Sequence, residues 1–222
     1  MMNFIDISSY QEGLRLPDVQ ASIDAVMIKA TQGTWYVNSF CDEWVQQAIA
    51  LGMPWGFYHY ADANDPEIEA EYFVENCWNY FKHGIPCLDW EENQSVDWVN
   101  KFVNAVHKRT SVWCWIYANP WRFNQGGVEP NCMRWVASYP EIKHPTFKEA
   151  KHLLPPETDG LVGAWQFCSD GIIDGTAFEL CCDLFYGDKE NWLKYAGADA
   201  TENTEEIVLE NNEYIATVRK KK

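Results

Sequence analysis

The 222-residue sequence contains no apolar run that reaches the roughly 18 residues that a membrane-spanning helix requires. Its opening stretch, MMNFIDISSYQ, has neither a basic segment nor a long apolar one, so we expect no secretory signal peptide there. We therefore expect synthesis in the cytoplasm and no insertion into a membrane. A function outside the cell would depend on a separate route of release.

Basic residues are scarce relative to acidic ones. The chain has 17 Lys and Arg against 33 Asp and Glu, which gives a formal net charge of −16. A nucleic-acid-binding protein needs basic stripes that neutralise phosphates, and a protein that binds anionic lipid surfaces needs basic clusters. We therefore expect no nucleic-acid partner, and the simplest consequence of the acidic charge is solubility.

Sequence motifs for metal and nucleotide binding are also absent. No two cysteines form a C-x-x-C pair, and the histidines give no H-x-x-x-H or H-x-x-E-H pattern. No G-x-G-x-x-G or P-loop motif follows a predicted strand. We predict no metal and no cofactor, which argues against a metal-dependent amidase or deacetylase. The cysteines are interpreted as buried free thiols: Cys41, Cys77, Cys87, Cys114, Cys132, Cys168, Cys181 and Cys182.

What the sequence does contain is an alternation of strand-like and helix-like segments. Helices are predicted over Ser39–Leu51, after the capping residue Asp65 and after Ser95, whereas only a short helix within His144–Ala150 is expected later. The pattern is α/β, and about eight strands favour an irregular TIM-like (β/α) barrel with reduced helices in its second half. The predicted strands are Asn3–Ile7, Ala25–Ala30, Pro54–Tyr60, 85–91, Ser111–Ala118, Met133–Tyr139, Leu161–Phe167 and Phe178–Phe185.

The stretch CLDWEEN, residues 87–93, ends the fourth of these buried strands with three acidic side chains. Side chains two residues apart on a strand point the same way, so Asp89 and Glu91 are predicted to share one face. Trp90 and Glu92 would then face the other side. We expect Trp90 to pack against the helix layer and Glu92 to be solvated or bound in a loop.

Two more carboxylates lie near the ends of the first and last predicted strands, Asp6 and Asp183. In a closed barrel these strands are neighbours, so both residues would meet Asp89 and Glu91 at one mouth. Crowded carboxylates raise one another's pKa, and an acid with a raised pKa beside an ionised carboxylate suits glycoside hydrolysis. The alternative is that each of the four is separately a cap or a surface group.

An ordered set of motifs makes this more specific. The chain contains DISSYQ, MIKATQGTWYVNSF, GFYHY, LDWE, IYAN, RWVASYP, AWQF and CDLF, in that order between about Asn3 and Tyr186. The set resembles glycoside hydrolase family 25, the lysozyme-type N-acetylmuramidases found in many phage endolysins. The sequence departs from the family pattern at Trp90, which stands where an aliphatic residue is usual, and at the DLF segment.

The resemblance implies a barrel of eight strands with missing helices and a role for each matched residue. Glu91 would be the general acid, while Asp89 and Asp183 would stabilise positive charge or orient the substrate's N-acetyl group. Asp6 would hold substrate or tune the pKa of the acid. His59 is left as a residue either of the site or of the core. The implied sugar-binding residues are Tyr58, Tyr60, Tyr117, Trp165, Gln166 and Gln11.

The family implies cleavage of the β-1,4 bond between N-acetylmuramic acid and N-acetylglucosamine, with peptidoglycan glycan strands as partner. A non-catalytic peptidoglycan-binding or virion structural module that retains the fold is the alternative. The catalytic domain is expected over residues 1–196. Residues 197–222 would be a polar tail, either a linker or tag-like extension or a remnant of a wall-binding or assembly segment, with a strand at Tyr214–Val218. Whether the chain is a monomer or an oligomer is left open.

Overall fold

The computed structural model describes residues 1–62, 64–197, 206–210 and 215–219. Nine strands form one sheet: β1 Met2–Ile7, β2 Ala25–Gln32, β3 Tyr36–Val37, β4 Trp55–Tyr60, β5 Ile85–Asp89, β6 Trp115–Ala118, β7 Arg134–Ala137, β8 Val162–Gly171 and β9 Leu180–Phe185. The helices are α1 Leu16–Val19, α2 Cys41–Leu51, α3 Pro66–Cys77, α4 Val96–Thr110, α5 Pro120–Phe123, α6 Phe147–Ala150 and α7 Lys189–Tyr195.

Eight of these strands close into a barrel. The order is β1-β9-β8-β7-β6-β5-β4-β2, and a parallel pairing of β1 with β2 completes the ring. The short strand β3 pairs with the end of β2 outside the ring. The predicted eight-stranded α/β barrel is therefore confirmed.

One strand runs against the expected direction. β9 is antiparallel to both β8 and β1, whereas the other neighbouring strands of the ring are parallel. The connection from β8 to β9 spans residues 172–179 and contains no helix. A parallel return needs a long crossover, so this short loop produces a hairpin instead. The start of β9 therefore lies at the end of the barrel where the parallel strands finish.

The helices of the first half are long, and their ends follow local chemistry. Asp65 accepts hydrogen bonds from the backbone of Glu67 and Ile68 and begins α3, and Ser95 caps α4 in the same manner. Gly52 ends α2 with a φ of 62°, a left-handed conformation that glycine adopts at little cost. In the second half α5 and α6 have only four residues each, as predicted.

Helix α7 was not predicted, and it closes the lower end of the barrel. Its Trp192 is fully buried and donates a hydrogen bond from Nε1 to the backbone oxygen of Trp55 at the start of β4. Trp192 packs against Phe4, Trp115 and Phe185 in the barrel interior. Aromatic side chains thus fill the barrel interior at this end.

The side chains of each barrel strand divide between two cores. Inward residues such as Ile85 and Cys87 of β5 join the interior cluster, whereas Leu88 of the same strand joins the outer cluster against the helices. This alternation follows from the period of two of a β-strand. It decides which residues of each strand can reach the mouth.

Beyond the barrel, β10 Glu206–Glu210 and β11 Ile215–Arg219 form an antiparallel pair. The strand predicted at Tyr214–Val218 corresponds to β11, although Tyr214 itself lies outside the described residues. The domain boundary at residue 196 and the role of the tail stay predictions. Within the described part of the chain, no helix is both long and apolar enough to cross a membrane.

Candidate active site

A cleft of about 260 Å³ opens at the mouth of the barrel, where the parallel strands end. Four carboxylates were predicted to converge here, and three of them line the cleft. Aromatic and amide side chains complete its wall. The lining residues are Asp6, Ser8, Tyr10, Gln11, Lys29, Tyr58, Tyr60, Asp89, Glu91, Tyr117, Trp135, Tyr139, Gln166 and Cys181.

Asp89 and Glu91 form an acidic pair at the rim, which we call the rim pair. Asp89 is the last residue of β5 and is buried, whereas Glu91 lies just beyond the strand and is exposed. Between them Trp90 is fully buried in the outer core and donates a hydrogen bond to the backbone oxygen of Gln94. As the strand alternation predicted, Asp89 and Glu91 face the cleft and Trp90 faces the outer core.

The rim pair holds a proton more tightly than ordinary carboxyls do. Burial raises the pKa of Asp89 well above its usual range, and the charge of Glu91 adds to this. Partial burial also raises the pKa of Glu91, against opposing contributions from Tyr117 and Arg122. Two carboxyls so placed titrate as a unit, and one of them keeps a proton after the other has ionised.

A cation that was not predicted stands beside this pair. Lys29 lies on β2, donates a hydrogen bond of 2.7 Å to Gln32, and sits 4.6 Å from the centre of the Tyr60 ring. Burial lowers the pKa of Lys29, while the negative charge of Asp89 opposes that shift. The signal was present in the sequence, because Lys29 is two residues from Met27 on an otherwise apolar inward face.

Asp6 is held at the cleft wall by a chain of hydrogen bonds. Gln166 donates from Nε2 to Asp6 Oδ2 at 2.6 Å, and the Gln166 Oε1 accepts from the hydroxyls of Tyr117 at 2.7 Å and Tyr139 at 2.6 Å. Burial raises the pKa of Asp6 to about 6, and the hydrogen bond from Gln166 opposes the shift. The two tyrosines thus fix the amide orientation that presents a donor to Asp6.

Asp183 lies deeper than predicted. It is fully buried, does not line the cleft, and accepts a hydrogen bond of 2.8 Å from Trp135 Nε1. Because β9 is antiparallel, Cys181 is paired with Asp6 at the mouth, and Asp183 is paired with Phe4, two residues deeper in the barrel. The expectation that Asp183 lies near the strand end at the mouth, together with the other three carboxylates, is therefore wrong.

Asp6 and Asp183 nevertheless meet, and we call them the floor pair. Burial raises the pKa of Asp183 well above its usual range, and the charge of Asp6 raises it further. The pKa of Asp6 rises less, to about 6. Asp183 is therefore the member of the floor pair that binds its proton more tightly.

Trp165 does not reach the cleft. It is buried in the outer core beside Phe167 and donates a hydrogen bond from Nε1 to the backbone oxygen of Ser138. Its neighbour Gln166 faces inward, and adjacent residues of a strand cannot share a face. The expectation that Trp165 lines a sugar subsite is wrong for this reason. Trp135 on β7 lines the cleft instead.

The other predicted sugar-binding residues do line the mouth. Tyr58 is nearly buried at the cleft wall, and Tyr60 donates a hydrogen bond of 2.9 Å to the exposed carboxylate of Glu92. Gln11 also faces the cleft, and its Oε1 accepts a hydrogen bond from the backbone of Ser8 in a capping box. Glu92, the third acid of this stretch, is not among the residues that line the cleft.

His59 belongs to the core. It is fully buried, with Nδ1 2.8 Å from the Thr31 hydroxyl and Nε2 3.0 Å from Glu69. Glu69 also accepts hydrogen bonds from the backbone of Asp62 and Asn64. This network ties the loop after β4 to α3 behind the cleft. Over the described residues, no group of three or more His, Cys, Asp or Glu is arranged to hold a metal ion.

A family model described as glycosyl hydrolases family 25 matches residues 5–176. The chain belongs to this family. The match includes Asp6, Asp89 and Glu91 and ends before β9, so Asp183 lies beyond it.

The sequence identity between this chain and individual lysozymes is low. The chain is 28% identical over 192 residues to the autolytic lysozyme of Clostridium acetobutylicum, covering 83% of this chain and 56% of that protein. It thus spans a little over half the length of that relative. A Streptomyces coelicolor lysozyme structure aligns with a TM-score of 0.72 at 24% identity, over 87% of this chain and 96% of that one.

A third similar structure is the catalytic domain of an endolysin from a bacteriophage of Listeria monocytogenes. It aligns with a TM-score of 0.71 at 23% identity, over 88% of this chain and 98% of that domain. At these identities the two structures establish the fold of the barrel and no more.

Proposed function

We propose that this chain is a muramidase, which hydrolyses the β-1,4 bond between N-acetylmuramic acid and N-acetylglucosamine in peptidoglycan. The rim pair carries the proposal, because it brings two carboxyls with raised pKa values together at the open mouth of a family 25 barrel. Glycoside hydrolysis needs a protonated and an ionised carboxyl side by side, and such a pair can supply both states. The autolytic lysozyme that matches the chain is named for the same kind of activity.

Glu91 is the proton donor in this proposal. It is the exposed member of the rim pair, so a glycosidic oxygen in the cleft can approach it, and its raised pKa preserves the acid form. Asp89 lies below it beside Lys29, whose positive charge opposes the rise in the pKa of Asp89. An ionised Asp89 would stabilise the positive charge that develops on the sugar ring or orient the N-acetyl group.

The wall of the cleft suits a sugar. Tyrosine and tryptophan rings present a flat apolar surface with a polar edge, which matches the face of a pyranose ring. The floor pair would hold this wall in place, since Asp6 fixes Gln166 and Asp183 fixes Trp135. We therefore propose peptidoglycan glycan strands as the partner, bound across the rim pair.

Hydrolysis of purified peptidoglycan tests the proposal. Glu91→Gln removes the acid with almost no change in size, so the release of reducing ends should fall by about 10²- to 10⁴-fold. Glu92→Gln is the matched control, because Glu92 is a neighbouring exposed carboxylate outside the cleft, and it should keep near wild-type rates. Equal rates for the two variants would refute the role of Glu91.

Binding without cleavage would favour the non-catalytic module instead. In that case the wild-type protein would sediment with peptidoglycan and release no reducing ends. The retained rim pair speaks against this outcome, because a binding module does not need a carboxyl with a raised pKa.

We further propose that the chain acts as a phage or prophage endolysin on the cell wall after release from the cytoplasm. The family 25 motifs of the chain, which occur in many phage endolysins, motivate this proposal. Cytoplasmic expression in a susceptible bacterium should leave cells intact until the membrane is permeabilised, and lysis should then follow. Lysis that is equal with and without permeabilisation would contradict the release step.

A further inference from the structure

Two of the eight cysteines stand directly opposite each other on neighbouring strands. Cys168 of β8 and Cys182 of β9 are paired in the antiparallel ladder. No other two cysteines are ladder partners among the paired strands that the structure describes. Directly opposite residues have Cα atoms about 4.5–5.5 Å apart. That separation lies inside the range of about 4.4–6.8 Å that a disulfide bond spans.

The two sulfur atoms also share one location. A Cβ atom placed on Gly171 would lie 3.1 Å from the Sγ of Cys168 and closer still to the Sγ of Cys182. Both thiols thus lie under the bare backbone of this glycine. The third nearby cysteine, Cys181, faces the cleft on the opposite side of β9, so it is not a competing partner.

We propose that Cys168 and Cys182 are an oxidation site that forms a cross-strand disulfide, with a peroxide as the oxidant. The sulfur of Cys168 attacks one peroxide oxygen, the O–O bond breaks, and a sulfenic acid and one water result. The sulfur of Cys182 then attacks the sulfenic sulfur and expels a second water. Two thiols and one hydrogen peroxide thus give one disulfide and two waters.

The pKa values of the two thiols are shifted in opposite directions, as this order of steps requires. A hydrogen bond from Cys182 lowers the pKa of the Cys168 thiol, which favours the thiolate that attacks peroxide. The same contact and burial raise the pKa of Cys182, which keeps it a thiol until the second step. Both side chains are at least 98% buried by the protein, so a small uncharged oxidant is the one that can reach them.

The bond would lie directly behind the floor pair. Cys182 precedes Asp183, and Cys168 follows Gln166 by two residues. The cross-link would therefore fix the register of β9, which carries Asp183, against β8, which carries Gln166. It would also close the loop between them, which contains residues 169–181. A loop of this size restricts the unfolded chain, and the Tm should rise by roughly 6–12 °C.

Peptide mapping after hydrogen peroxide treatment tests the proposal. The protein is alkylated under denaturing conditions and digested, and the masses of the fragments are measured. We expect one linked pair of peptides containing residues 168 and 182, with the other cysteines alkylated. A link that joins either residue to a different cysteine, or eight alkylated cysteines in a sample whose exposed Met1 is oxidised, would overturn it.

Two variants keep the result interpretable. Cys182→Ser should give no linked peptide and should let dimedone trap a sulfenic acid at residue 168. Cys114→Ser is the matched control, since Cys114 is a fully buried cysteine with no ladder partner among the paired strands that the structure describes, and it should still form the link. A linked peptide that persists in Cys182→Ser, or a Tm rise on oxidation of the double variant Cys168→Ala and Cys182→Ala, would count against the proposal.

Discussion

The two carboxylate pairs of this barrel consist of similar acidic side chains in contrasting environments. The rim pair ends a parallel strand, has one exposed member and stands beside Lys29. The floor pair joins β1 to the antiparallel β9, and its partners are Gln166 and Trp135. A carboxyl with a cation and open space before it can ionise and react, whereas one enclosed by fixed donors mainly holds its neighbours in place.

The largest expected difference is between Asp89→Asn and Asp183→Asn. In the proposed mechanism Asp89 acts as an anion that Lys29 stabilises, so its amide should lower kcat by about 10²- to 10³-fold. Burial and the charge of Asp6 both raise the pKa of Asp183, so its amide preserves the neutral state and should lower kcat by less than about tenfold. Rates of reducing-end release on purified peptidoglycan measure both values. Equal losses would show that the two pairs do not differ in role.

Lys29→Met removes the cation from the rim pair. The ionised form of Asp89 then loses a favourable interaction, and its pKa should rise further, so kcat should fall by about tenfold at neutral pH. Gln20→Met is the control, because Gln20 is an exposed residue far from the mouth. Activity that recovers at higher pH supports the electrostatic role, whereas a pH-independent loss indicates a packing effect.

Two tryptophan variants separate the inner face of the barrel from the outer one. Trp135→Phe removes the hydrogen bond to Asp183 and alters the cleft wall, so KM and kcat should both change by a fewfold. Trp165→Phe removes a bond to a backbone oxygen in the outer core, so it should cost about 1 kcal/mol of stability with little change in KM. Urea unfolding and steady-state kinetics measure the two effects, and a larger KM change for Trp165→Phe would reverse the assignment of faces.

The smallest effect concerns the pH dependence of stability. Folding raises the pKa of Asp6 from 3.8 to about 6, so the folded state binds more protons between these values. The stabilising contribution of Asp6 to the free energy of unfolding is therefore present below pH 3.8 and is lost as the pH rises through about 6. Subtracting the Tm profile of Asp6→Asn from that of the wild type should give a difference that falls with pH across this window. A flat or rising difference would contradict the raised pKa.

How much of the site could be predicted depended on how local the signal was. The spacing of Asp89 and Glu91 placed both at the mouth, because the period of a strand is a local property. The same rule, applied to Trp165 and Gln166, would have shown that only one of them can face the cleft. Lys29 was missed although the same rule points to it, since its inward position follows from Ala25 and Met27 on β2.

The sequence by itself determined the alternation of strands and helices, a count of about eight strands, the long helices of the first half and the acidic pair at the end of β5. These follow from side-chain periodicity and capping, which act over a few residues. Only the tertiary structure decided the reversed direction of β9, the depth of Asp183 and the pairing of Cys168 with Cys182. These depend on how a helix-free loop returns across the sheet, and that path is chosen by packing between residues far apart in the chain.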